Sequence, residues 1–171
     1  MGALNEQPQV FREHVLWFEF AVELRRELKM SGDQRVIDNG DGTVTDTLTK
    51  LMWMKNDAYQ DLKKFVSFRE ASKYLESKNK ASVAGYSDWR IPGKKEAQSL
   101  FLYEKEKYVL DKYDMEIYID PVFPPGCGYN TWTSETRGKT TSYVFSFGLG
   151  TGGHIEVDGT INISIRLVRG D

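Results

Sequence analysis

With 171 residues, 40% of them hydrophobic and 13% aromatic, the chain can fill one packed core and is too ring-rich for a disordered polymer. A net charge of −2 excludes an overall field that would draw it to nucleic acid or an anionic membrane. A single cysteine, Cys127, excludes an intramolecular disulfide, and no apolar run approaches the roughly 20 residues of a membrane-spanning helix.

Residues 8–29 read as a helix. Pro8 suits the first turn, where its missing N–H costs nothing. Val10, Phe11, Val15, Phe18 and Val22 form one apolar stripe, and Trp17, Phe20, Ala21, Leu24 and Leu28 form a second. Only a narrow strip around Arg12, Glu19, Glu23 and Arg26 stays polar. A surface helix needs one stripe. Two stripes imply either burial on both sides within one domain or a second partner, with Phe11, Trp17, Phe18, Phe20 and Leu24 as the contact residues. His14 lies on or beside this apolar surface and reads as a packed histidine. Ser31-Gly32-Asp33 ends the helix. The start lacks a basic stretch followed by a clean apolar one. That leaves a cytoplasmic protein, or a surface or secreted one whose leader has been removed.

Arg35 to Asp38, then Asn39-Gly40-Asp41-Gly42, then Thr43 to Asp46 is a β-hairpin signature, because Asn-Gly and Asp-Gly supply positive φ. The acids tempt one toward a calcium loop, but their alternation breaks at Gly40 and no closing Glu follows. Residues 47–50 form a second turn and 51–54 a short apolar strand. Ser67-Phe68-Arg69-Glu70 is a capping box opening a helix that runs to about Lys78, with Phe68, Ala71 and Leu75 on one face.

Gly85-Tyr86-Ser87-Asp88-Trp89-Arg90-Ile91-Pro92 reads as the hinge between two helices and a sheet. Trp89 is assigned to the core, and Asp88 and Arg90 brace the backbone around it, with a buried Asp–Arg arrangement as the means. Gly93 caps the next helix, with Glu96 at the third position and Ala97, Leu100 and Phe101 inward. Residues 104–118 either extend this helix or form a surface insertion. Prolines at 121, 124 and 125 exclude regular structure there.

The last third is β-rich: residues 129–134, 142–147 and 161–168, the last with Ile161, Ile163, Ile165 and Leu167 alternating onto one face. Gly148, Gly150, Gly152 and Gly153 read as a flexible hairpin tip. His154, Glu156 and Asp158 sit at alternate positions, as metal ligands on a strand would, but three solvated side chains look the same. No metal or cofactor is assigned. Charge is uneven: residues 47–112 hold 14 Lys and Arg against 9 Asp and Glu, so the remainder sums to −7. Lysines solvating helix faces account for this, with a polyanion-binding patch as the alternative.

Several of these segments, in this order, resemble the Lcl C-terminal domain family: residues 38–46, Leu51-Met52-Trp53, 85–92, Glu96, Ile119-Asp120-Pro121, Trp132-Thr133-Ser134 and Val168-Arg169-Gly170. The resemblance spans roughly residues 35–171 and leaves residues 1–34 as a helical extension. This bacterial family, of mostly unassigned function, is related in fold to C-type lectins and to the formylglycine-generating enzyme. It implies an α+β, C-type lectin-like domain with two helices flanking a small twisted antiparallel sheet. It also implies binding of sugars, glycosaminoglycans or proteins. The chain has no Glu-Pro-Asn, Gln-Pro-Asp or Trp-Asn-Asp motif, so calcium-mediated sugar binding is not implied. One cysteine cannot supply the cysteine pair of the formylglycine-generating enzyme.

The residues also offer no Ser/His/Asp constellation, since His14 and His154 are the two histidines. The expectation is a non-enzymatic recognition module for a protein or glycan. Aromatic residues and Arg anchor such surfaces, so the candidates are Tyr129, Trp132, Arg137, Tyr143 and His154, although Trp132, like Trp53, also reads as core. The alternative is an assembly subunit that oligomerises or docks through its N-terminal helix.

Overall fold

A computed structural model describes residues 19, 20, 22–24, 26, 27 and 34–170. The chain divides into two units, Met1–Arg35 and Val36–Asp171. In the first, residues 19, 20, 22–24, 26 and 27 are helical; Phe20 is 63% exposed and Leu24 is half-buried. Phe11, Trp17, Phe18 and His14 lie outside the described residues.

The second unit is α+β and mostly β. Strands β1 (Val36–Asp38) and β2 (Thr43–Asp46) form the expected hairpin. The acids at its tip serve the turn: Asp38 accepts the Gly40 N–H at 3.0 Å, and Asp41 accepts the Thr43 N–H and hydroxyl at 3.0 and 2.6 Å. Strand β3 (Leu51–Met54) pairs with β2, and a late strand, β10 (Val168–Arg169), pairs with β3. The first sheet is therefore antiparallel, in the order β1-β2-β3-β10.

Three α-helices follow β3: α1 (Ala58–Leu62), α2 (Phe68–Lys80) and α3 (Lys94–Leu100). The Ser67 and Glu70 capping box opens α2 as the sequence indicates, and Glu96 accepts the Gly93 N–H at the start of α3. Helix α1 was not foreseen, although Asp57 and Gln60 form a second reciprocal box around it. Residues 104–118 do not extend α3. They fold back as a ribbon of β4 (Val109–Leu110) and β5 (Glu116–Ile117), with Val109 and Ile117 in the core.

A second sheet has the order β8-β7-β6-β9. It comprises β6 (Asn130–Arg137), β7 (Thr141–Ser146), β8 (Thr151–Glu156) and β9 (Ile163–Ser164), with β6 and β9 parallel and the rest antiparallel. The sequence anticipated one small sheet; the strands are shared between two four-stranded sheets and the ribbon. The glycine-rich stretch is not a loose tip: the turn is confined to residues 147–150, and β8 pairs with β7 along its whole length. Nor does the 161–168 segment make one continuous strand. Ile161 is 89% exposed, while Ile163, Ile165 and Leu167 are buried as expected. Their three carbonyls accept the N–H groups of Val66, Ala58 and Met54 at 3.0, 2.9 and 2.9 Å, which carries the chain from the second sheet to the first.

The core has two lobes, and β7 feeds both by alternation. Tyr143, Phe145 and Phe147 face a lobe with Trp53, Phe101, Ile117, Ile119 and Phe123. Val144 faces the other, with Trp89, Trp132, Val66, Tyr74, Ile165 and Leu167. Each fully buried large side chain contributes about 1.5–3 kcal/mol.

Trp89 is 2% exposed, as the hinge reading requires. Asn79 grips it from α2, accepting its N–H at 2.8 Å and donating to its carbonyl at 2.9 Å. The indole N–H donates to the Val83 carbonyl at 3.2 Å. Arg90 exchanges two backbone hydrogen bonds with Val168, extending the first sheet past β10. The bracing differs from the expected buried Asp–Arg arrangement. Asp88 pairs with Arg169 at 2.8 and 3.0 Å, whose guanidinium also lies 3.8 Å from the Tyr86 ring centroid. Arg90 grips Glu96 through two 2.7 Å bonds and donates to the Gly170 carbonyl. Burial opposes ionisation of Glu96, but the Arg90 guanidinium and the Gly93 N–H outweigh it and hold the carboxyl below its usual range. The hinge thus ties α3, the first sheet and the chain's last described residues together.

Candidate functional site

The structure brings three of the five expected ligand residues to one place. Tyr143 on β7 lies opposite His154 on β8, with ring centroids 5.5 Å apart and edge to face. Arg137, exposed at the end of β6, lies close enough to act on the His154 charge. Two residues not foreseen complete the group. The Lys94 ammonium sits 4.3 Å from the Tyr143 ring centroid, and the Glu135 carboxylate accepts the Lys94 N–H at 2.8 Å.

This rim forms where the second sheet meets the start of α3, and a bulge builds it. The β6–β7 register shifts between Trp132 and Thr136. The Ser142 hydroxyl bridges the irregularity by donating to the carbonyls of Thr133 and Glu135 at 2.9 and 3.3 Å. The two extra residues on β6 re-aim the strand and turn Glu135 toward α3. No local signal in the sequence marks such a bulge, which is why Lys94 and Glu135 escaped notice.

The rim is mixed in charge, with Lys94 and Arg137 against Glu135. Desolvation, Arg137 and Lys94 together push His154 below its ordinary value, while Glu135 opposes them. His154 is therefore neutral near pH 7 and carries one donor and one acceptor. Burial raises the Tyr143 hydroxyl, with Glu135 adding to the effect. The group offers an exposed cation and an exposed carboxylate, Arg137 and Glu135, beside a half-buried ammonium and a half-buried neutral imidazole that rest on the buried Tyr143 ring.

Trp132 does not belong to it. It is wholly buried, its indole N–H donates to the Val66 carbonyl at 2.8 Å, and Phe68 packs edge-on at 5.6 Å. A side chain with no accessible surface reaches no ligand, so its assignment as a ligand residue is corrected to a core one. Tyr129 is half-buried at the opposite end of β6 from Arg137, roughly 25 Å away along an extended strand. Its ring covers Gly148, where an added Cβ would fall 1.9 Å from the Tyr129 hydroxyl oxygen.

Among the described residues, no three His, Cys, Asp or Glu converge to hold a metal ion. Asp158, at alternate spacing from His154, is exposed and meets Arg69 at 3.1 Å. Cys127 is buried, and burial pushes its thiol up to about 11. It stays protonated near neutral pH and is a poor nucleophile. Among the described residues, no helix is long and apolar enough to cross a membrane. Compared with known proteins, the chain matches the sequence model of the Lcl C-terminal domain over residues 42–169. No curated protein matches it.

Proposed function

Because the chain belongs to the Lcl C-terminal domain family, we propose that it is a non-enzymatic recognition module of C-type lectin-like build. The pairing of the unit's early strands with its last, β10, in one sheet supports that build. Its ligand is a glycan or a protein, held by Lys94, Arg137, Tyr143 and His154. The observation that carries this is the grouping of those four side chains from α3, β6, β7 and β8, in which Arg137 is exposed, Lys94 and His154 are half-buried, and the buried Tyr143 ring packs against the last two. An Arg and a ring beside a neutral imidazole suit hydrogen-bonded recognition of a polar surface.

A glycan and glycosaminoglycan array, run with a salt series, tests this reading. Wild-type binding that survives moderate salt and is lost in Arg137→Ala and His154→Ala supports it. Binding that ignores both substitutions, or vanishes with salt for every ligand alike, removes the rim from consideration.

A second reading is favoured by Phe20, which is 63% exposed on the N-terminal helix. An apolar ring of that size suits contact with another copy or another protein. In this reading the first unit mediates assembly and the second is a spacer. Light scattering on full-length protein and on a form lacking residues 1–30 separates the two. Assembly lost on truncation, with ligand binding retained, assigns the helix to assembly and the rim to recognition.

A further inference from the structure

A cleft of about 420 Å³ opens between α1 and the 124–126 loop, remote in sequence from the rim. Tyr59 and Gln60 of α1 line it, with Asn56 and Lys63 on either side of that helix and Lys112 joining from the ribbon. Its walls are fixed. The Gln60 side-chain amide donates to the Pro124 and Pro125 carbonyls at 2.9 Å each and accepts the Asp57 N–H at 2.9 Å. The Lys112 N–H donates to the Cys127 carbonyl, and the Gly126 N–H to the Leu110 carbonyl. Asn56 donates its amide to Asp61 at 3.2 Å.

What the walls leave over is positive charge. Lys55, Lys64 and Lys78, from the same half of the chain, are each paired with a carboxylate at 2.5–2.7 Å. Among the described residues, Lys63 and Lys112 have no such pairing, and no carboxylate lines the cleft. Lys63 projects from a left-handed position at φ 58°, a conformation that a non-glycine residue adopts at some cost. From Tyr59 on the cleft wall an aromatic shelf runs outward: the Phe65 ring centroid lies 4.5 Å from that of Tyr59 and 5.9 Å from that of Tyr113, which is 60% exposed and has the Lys112 ammonium 5.9 Å from its centroid.

We propose that this cleft binds a phosphomonoester carried on a flat ring, with Lys63 and Lys112 meeting the dianion and the Tyr59–Phe65–Tyr113 shelf meeting the ring. Two cations with no acid between them concentrate anions at a concave wall, and two negative charges match them better than one. The proposal goes beyond the rim and does not depend on it. It gives the basic excess of residues 47–112 a specific location, where lysines 49 positions apart converge.

The test titrates the full chain with p-nitrophenyl phosphate, p-nitrophenyl sulfate and inorganic phosphate, by calorimetry and by amide chemical shifts. The expected order of affinity is aryl phosphate, then aryl sulfate, then inorganic phosphate. Lys63→Gln with Lys112→Gln weakens the aryl phosphate by roughly tenfold or more. Tyr113→Ala weakens the aryl ligands and leaves inorganic phosphate unchanged. Lys64→Gln serves as a charge control, and His154→Ala with Arg137→Ala as a control for the rim; both keep wild-type affinity. Equal binding by the double lysine variant, an equal loss in Lys64→Gln, or shifts that bypass residues 56–63 and 112–126 each overturn the proposal. Unchanged thermal unfolding of the variants excludes misfolding as the cause.

Discussion

The hinge around Trp89 and the rim around Tyr143 are built from the same residue types and use them in opposite ways. At the hinge, Arg90, Asp88, Arg169 and Glu96 are spent on one another and on the backbone, and the aromatic between them is sealed. At the rim, Arg137, Lys94, Glu135 and His154 surround a ring, yet Arg137 and Glu135 stay exposed. Polar groups that satisfy each other make a frame, while polar groups left half-satisfied at an edge can meet a ligand. The difference lies in commitment rather than composition.

The largest expected effect breaks the frame. Trp89→Ala empties a site gripped from three sides and should cost about 3–5 kcal/mol in urea unfolding. Next comes a change that attacks the rim through its backbone. A Cβ at Gly152 would fall 2.0 Å from the Val144 carbonyl oxygen, so Gly152→Ala should part β7 from β8 and cost about 1–3 kcal/mol. A loss confined to protection of the β7 and β8 amides in hydrogen exchange would locate the damage.

Arg90→Ala removes the clamp on Glu96 and should cost about 1–2 kcal/mol at pH 7. Its pH dependence sharpens the contrast. Glu96 has a folded value below its ordinary 4.5. Its contribution is therefore complete above that unfolded value and is lost as pH falls through the folded one. The gap between wild type and Arg90→Ala should narrow as the solution is acidified below about pH 4.5. A gap that stays constant would mean that Glu96 gains nothing from Arg90. Smallest of all, Arg137→Ala and His154→Ala should shift stability by less than about 0.5 kcal/mol while abolishing ligand capture. A stability loss as large as that of Arg90→Ala would turn the rim into a second hinge.

Local chemistry was legible in the sequence and pairing was not. The first hairpin, the Ser67 box and the Gly93–Glu96 cap are written within three or four residues, and each occurs where the sequence indicates. Trp89 could be assigned to the core because a large ring in a Pro- and Gly-bounded turn has few other uses. The partners of Asp88 and Arg90 could not be read, because Arg169 lies 81 residues away and the Glu96 carboxylate answers to two donors at once. Strand β8 reads as Thr-Gly-Gly-His-Ile-Glu, which has little strand propensity; it is a strand because β7 pairs with it and glycine lets the Val144 carbonyl come close. The rim needed a bulge, a helix start and two strands to meet, and no window of sequence contains all of them.

The stretch from Ile163 to Arg169 has a consequence for biosynthesis. Both sheets wait for it: β9 completes one and β10 the other, and β10 must find β3 across more than a hundred residues. A ribosome that has not yet released these residues holds two open sheets with unpaired strands. Pairings between residues this far apart slow folding, and until this stretch is in place the unpaired strands of both sheets are open to wrong partners.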